Sequence, residues 1–203
     1  MLKGSGRSDT GAVGNVVKRV ENVARVYDRE VVFDGSGDDH DAPFTQWVAM
    51  GNDTLNVVSD PDHVLGRRSL EFDKVNGAAN TKIAAVVNAN LDLDLSRFLG
   101  SDRLVALFQI PDLTDVDYVA VRLGTDASNY NEWRMADTEI TAAVWQEMNV
   151  ELQECEYSVT GEGWNPENVK YAAFCVAFDL ETDALADIIL DHVVVREHSS
   201  LSW

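Results

Sequence analysis

The stretch GTDASNYNEWRM, Gly124 to Met135, follows the apolar run VDYVAVRLG and leads into the acidic ADTEI. It gathers Asp, Ser, Asn, Tyr, Asn, Glu and Trp at the mouth of a strand. Two readings compete. Either a polar loop presents rings and amides to a ligand such as a sugar, or two strands are joined and their aromatics close the end of a β-sandwich. Tyr130 and Trp133 flank a strand start, where an inward ring over a core is the commoner arrangement. On that reading Gly124 makes the turn at the strand's end, and Asp126 and Asn129 bond backbone groups of the loop. Tyr130 then lies partly over the sandwich end and Trp133 is buried. On the other reading Asn129, Tyr130 and Trp133 form a glycan-binding set.

The surrounding texture decides the fold class. From Glu30 onward the chain is a series of short β-type runs bounded by Gly, Asp, Asn and Pro: EVVFD (30–34), TQWVAM (45–50), TLNVVS (54–59), SLEFDKV (69–75), TKIAAVVN (81–88), DRLVALFQI (102–110), VDYVAVRL (116–123), NEWRMA (131–136), WQEMNVELQEC (145–155), VKYAAFCVAFD (169–179) and ADIILDHVVVRE (186–197). Several alternate with period two. Leu104, Ala106, Phe108 and Ile110 share one face, and Met148, Val150 and Leu152 share another, with Glu147, Glu151 and Gln153 opposite. Half-buried strands with short turn-rich links predict an all-β antiparallel β-sandwich jelly roll. Ahead of it, residues 1 to about 12 are Gly, Ser and charge. VGNVVKRVENVARVYD then spaces its valines as a short amphipathic helix would. The expected organisation is an N-terminal arm and helix (1–29) acting as an assembly anchor, the jelly roll (30–198) and a C-terminal tail (199–203).

Composition sets limits on partners. The 203 residues are 45% apolar and 25% charged, ample for a core. Sixteen Lys and Arg stand against thirty-five Asp and Glu, a formal charge of -19. Such a field repels phosphate backbones and anionic membrane surfaces, so neither nucleic acid nor membrane is an expected partner. The acidity suits a heavily solvated surface or a divalent cation. No apolar run is long enough to span a bilayer, and MLKGSGRSDTGAVGN has no hydrophobic signal region, so synthesis in a cytoplasm is expected.

Catalytic patterns are sparse. His40, His63, His192 and His198 are scattered, GxSxG and phosphate loops are missing, and paired acids are too common here to mean much. A non-enzymatic protein is expected. GEGWN (161–165) reads as a turn between strands. Cys155 and Cys175 lack metal-ligand spacing and fall in apolar runs, where buried thiols are the default over a disulfide. The loop FDGSGDDHD, Phe33 to Asp41, offers oxygen ligands on a tight backbone, which a hard cation prefers; a solvated turn is the alternative.

Read as a line, the second half resembles the jelly-roll domains of carbohydrate-binding-module, galactose-binding-like type. The residues carrying the likeness are Asp94, Leu95 and Ser96; Gly124, Asp126, Asn129 and Tyr130; Trp145; Gly163, Val169, Lys170 and Tyr171; and Asp191. RLGTDASNYNEWR joined to VAFDLETDALADIILDHVVV further resembles domains in structural proteins of tailed-bacteriophage virions. Two departures stand out: Trp145 is followed by Gln146 rather than Asn, and His192 replaces a second acid. The resemblance implies a structural calcium joining Asp34 of the first strand to Asp191 of the last. It implies a virion component, first a capsid decoration protein and second a tail, neck or fibre-base component. Its partners would be capsid or tail proteins and further copies of itself on the particle. A module adhering to host surface glycan is the reading from another class.

Overall fold

The computed structural model describes residues 30–32, 47–64, 68–98, 100–155, 157–159 and 165–197. The expected arm and helix (1–29), the acidic loop from Phe33 to Asp41, GEGW of the expected turn and the C-terminal tail lie outside them. Twelve strands make up the described chain: β1 (Glu30–Val32), β2 (Val48–Ala49), β3 (Thr54–Asp60), β4 (Ser69–Lys74), β5 (Ile83–Asn88), β6 (Arg103–Gln109), β7 (Val116–Asp126), β8 (Asn129–Ala136), β9 (Gln146–Glu151), β10 (Tyr157–Val159), β11 (Tyr171–Phe178) and β12 (Leu185–Arg196).

They form two antiparallel sheets. Sheet A runs β3-β4-β12-β6-β9, and sheet B runs β10-β8-β7-β11-β5-β2. β1 pairs with β12 over Val194–Arg196. Since β6 holds the other edge of β12 there, β1 continues the line of β4. All eleven runs read from the sequence contain a strand, and β10 is the addition. It is three residues long, too short to carry a period.

Alternation places the core. Leu104, Ala106, Phe108 and Met148 of sheet A meet Val119, Val121, Trp133 and Val176 of sheet B, all essentially inaccessible to water. Phe174 joins the sheets at the centre, edge-on to Phe72 with ring centroids 6.2 Å apart and tilted against Phe108 at 5.6 Å. Such ring pairs add about 0.5–1.5 kcal/mol beyond area burial. β11 is buried on both faces, which is why YAAFCVAF reads as a continuous apolar run rather than an alternation.

One polar junction is sealed inside. The buried carboxylate of Asp53 accepts the backbone N–H groups of Thr81 at 2.8 Å and Ala79 at 3.0 Å. Buried Lys74 lies 3.9 Å away and donates to the carbonyls of Val75 and Glu181. The Thr81 hydrogen bond, helped by Ala79 and Lys74, holds the Asp53 carboxyl below the usual carboxylate range. Gly77 lets the chain pass: a Cβ there would sit 2.3 Å from Asp53 Oδ1. This junction fixes the chain between β3 and β5, where the two sheets meet.

Candidate functional site

The hairpin that opened the sequence reading is strands β7 and β8. Asp126 pairs with Asn129, so Ala127 and Ser128 form a two-residue loop. Asp126 Oδ1 accepts the Ser128 N–H at 2.7 Å, and the Asn129 amide donates to both Asp126 oxygens at 3.0 and 3.1 Å. The Asn129 amide, then the Ser128 N–H, holds the Asp126 carboxyl below its ordinary value. Gly124 is not the turn. It lies within β7 at a bulge, because a Cβ there would come within 2.0 Å of the Asn129 carbonyl oxygen and 2.6 Å of Tyr130 Cα. The close backbone approach, and not the turn, demands glycine.

The period of two separates the three expected ligand residues. Trp133 points into the core, fully buried, and its indole N–H donates to the Leu152 carbonyl at 3.2 Å. Tyr130 points the other way, onto the outer face of sheet B, in a cluster with Tyr171, Ala120, Ala173 and Cys175. Asn129 serves the turn. Trp133 and Tyr130 therefore cannot contact one ligand. The ring of Tyr130 covers this outer face rather than the sandwich end.

Register shows what that face is made of. Tyr130, Gly124 and Tyr171 stand in one row across β8, β7 and β11, and the missing Cβ at Gly124 lets the two rings approach to 6.0 Å. The next row holds Glu132, Arg122, Ala173 and Val87. After it come Arg134, Ala120, Cys175 and Ala85, and then Ala136, Tyr118, Ala177 and Ile83. Small residues thus run down the middle between tall ones. Glu132 is buried and bridges two guanidinium groups, Arg122 and Arg134, each at 2.5 Å. Arg122 stacks over Tyr130 at 4.7 Å and Arg134 over Tyr118 at 4.0 Å. Tyr118 and Arg134 are half-buried, while Arg122, Glu132, Tyr130 and Tyr171 lie deeper.

Electrostatics keeps this face in fixed protonation states. Burial, then the Glu132 charge, pushes the Tyr118 hydroxyl up to about 12, so it stays neutral and able to donate. Burial raises the Tyr171 hydroxyl beyond its usual range. Burial likewise pushes the Cys175 thiol to about 12, leaving it unreactive. Cys155 and Cys175 share no disulfide. Sequence reasoning passed over Tyr118, Arg122, Glu132 and Arg134 as site residues, and named Tyr171 only for the family likeness. Their signal was parity: Tyr118-Ala120-Arg122 and Tyr130-Glu132-Arg134 alternate with core residues, so they must face outward together.

The expected cation site is half in view. Asp191 is buried at a bulge of β12, between Leu190 and His192, and its Oδ2 accepts the Val64 N–H at 2.7 Å. A buried carboxylate so placed fits either a cation ligand or an anchor for the Val64 backbone. Asp34, its expected partner, lies outside the described residues. Among the described residues, no group of three or more His, Cys, Asp or Glu is arranged to hold a metal ion. Among them, too, no helix is long and apolar enough to cross a membrane.

No family model matches the sequence. No curated protein matches it either. Solved structures do resemble it. A family 30 carbohydrate-binding module is 13% identical with a TM-score of 0.56, over 83% of this chain and 99% of that one. The fold is that of carbohydrate-binding-module jelly rolls. A family 11 module from Clostridium thermocellum, in complex with a β-1,3-1,4-mixed-linked tetrasaccharide, is 10% identical with a TM-score of 0.52, over 83% and 98%. A further chain, from work on promiscuous specificity among the β-sandwich carbohydrate-binding modules, is 14% identical with a TM-score of 0.54. It is matched over 78% of this chain and 60% of its own length. At such identities the likeness is one of fold.

Proposed function

We propose that this chain is a non-enzymatic glycan-binding module and that the outer face of sheet B is where it binds. One observation carries the reading. An ordinary solvated sheet surface in a chain with thirty-five Asp and Glu would be acidic, yet the outer face of sheet B is largely buried and holds three tyrosines and an Arg–Glu–Arg bridge, of which Tyr118 and Arg134 remain half-exposed. Rings with hydroxyl tips and guanidinium donors are what a polyhydroxylated ligand needs: flat apolar contact with hydrogen-bond donors at its margin. Tyr118 and Arg134 make the contact. Tyr130, Tyr171, Arg122 and Glu132 hold them in place.

The setting on a virion, as a capsid decoration protein or a tail, neck or fibre-base component, rests on the sequence resemblance. A glycan-binding face is compatible with it, since a particle-borne module of this kind would adhere to host polysaccharide. The calcium at Asp191 with Asp34 is part of the same proposal, and a melting temperature unmoved by EDTA would count against it.

Binding to a broad oligosaccharide array followed by calorimetry tests the function. Saturable binding is expected, weakened about tenfold or more by Tyr118→Ala and by Arg134→Ala in folded protein. No bound glycan, or binding indifferent to both substitutions, would overturn it.

A further inference from the structure

We propose that Asn76 is a site of self-modification, where conversion of its side-chain amide to isoaspartate unlocks the buried Asp53–Lys74 junction. Asn76–Gly77 is the one Asn-Gly pair in the chain. Asn76 is exposed, in the link between β4 and β5. With no side chain on Gly77, nothing on that residue crowds its backbone nitrogen. That nitrogen can attack the Asn76 side-chain carbonyl carbon, Cγ. The new N–Cγ bond closes a cyclic imide, the bond from Cγ to the amide nitrogen breaks, and the Gly77 proton leaves with that nitrogen as ammonia. Water then opens the ring. Opening at the former backbone carbonyl leaves the chain running through Cγ, longer by a single carbon, with a free carboxylate on Cα.

The link has no slack for that carbon. At its start the Val75 N–H donates to the Asp53 carbonyl at 2.9 Å, and Lys74 Nζ donates to the Val75 carbonyl at 2.7 Å. At its end the Ala79 and Thr81 N–H groups donate to the Asp53 carboxylate at 3.0 and 2.8 Å. One aspartate thus holds both ends. Between them Gly77 passes so close that a Cβ there would lie 2.3 Å from Asp53 Oδ1 and 2.5 Å from the Asn52 carbonyl oxygen. A longer backbone must swing away from Asp53, and the Ala79 and Thr81 N–H groups then lose their acceptor.

The same ties set the pace. The Gly77 N–H donates to the Val75 carbonyl at 3.0 Å, so its nitrogen turns to Cγ only when the link opens. Modification is therefore slow while the junction is closed, and one-way once ammonia is lost. Asn80 stands in the same link as an internal reference. It precedes Thr81, whose branched side chain crowds the attacking nitrogen and whose N–H is committed to Asp53. Glycan binding on the outer face of sheet B has no part in this chemistry.

Incubation of the full chain at mildly alkaline pH, followed by tryptic mapping of the peptide Val75–Lys82, tests it. Amide-to-acid conversion is expected at Asn76 and not at Asn80, about tenfold or more slower than in the free peptide Val75–Lys82. The isoaspartate form, resolved chromatographically from the parent and from Asn76→Asp, should exchange its Ala79 and Thr81 amide hydrogens about tenfold faster than the parent. Asn76→Asp adds the same charge to an unlengthened backbone and should keep the parent's slow exchange. No conversion at Asn76 over a span in which the free peptide is consumed would overturn the proposal. So would conversion at the free peptide's rate, an isoaspartate form that exchanges like the parent, or Asn76→Asp exchanging as fast as the isoaspartate form.

Discussion

The outer faces of the two sheets belong to the same kind of layer and are built oppositely. On sheet A, Asp60, Glu71, Asp73 and Asp187 crowd together across β3, β4 and β12. Burial, then the neighbouring acids Asp60, Asp187 and Asp73, pushes the Glu71 carboxyl up to about 7. Asp73 is useful there: it accepts the Asn56 amide and the Asp187 N–H at 3.0 Å. Asn56 and Asp187 are the two left-handed residues at the bulges of β3 and β12. On sheet B, charges are compensated, stacked on rings and largely buried. Where β3, β4 and the start of β12 meet, sheet A's face is an acidic patch that tolerates repulsion. Sheet B's is an assembled one, its charges paired and its rings packed over small residues.

The comparison breaks first at Glu132. Glu132→Ala leaves Arg122 buried without its carboxylate, and a loss of about 3–5 kcal/mol is expected in chemical denaturation. No exposed acid of sheet A should cost as much. Gly124→Ala comes next, at about 1–3 kcal/mol, because the new methyl must push Asn129 and Tyr130 away. Near-ultraviolet dichroism of the Tyr130–Tyr171 pair should change with it. Asp73→Ala should cost about 1 kcal/mol through two lost hydrogen bonds, measured by the same denaturation.

Glu71 gives the smallest effect, and its sign is distinctive. Its folded value lies above the unfolded value of about 4.5, so the native state holds the extra proton. Its contribution is therefore favourable at low pH and is lost as pH rises from about 4.5 to 7. Glu71→Gln should raise the melting temperature at pH 8 relative to the parent, with the gain fading towards pH 5. Screening at this partly exposed position keeps the difference within about 0.2–1 kcal/mol. A gain independent of pH would mean that Glu71 is not strained by its neighbours.

What was legible in the sequence was parity within each strand. DRLVALFQI announces Leu104, Ala106 and Phe108 as a core row, and VDYVAVRL together with NEWRMA gives a hairpin. Which rows of different strands lie side by side was not legible, because register depends on pairing partners far apart in the chain. Tyr130 and Tyr171 are forty-one residues apart and meet only because both flank Gly124. Gly124 itself was misassigned, since a glycine before a polar loop usually signals a turn and here relieves a close approach. Trp133 was foreseen as buried because a ring beside a strand start commonly turns inward, and the structure seats it opposite Val121 in the core.

The central claim is that glycan binds on the outer face of sheet B. Backbone amide shifts during titration with the best array oligosaccharide test it most directly. The account predicts a saturable set of shifts at Tyr118, Ala120, Arg134, Ala173 and Cys175, with Glu71, Asp73 and Asp187 unmoved. Shifts confined to β3, β4 and β12 would contradict it.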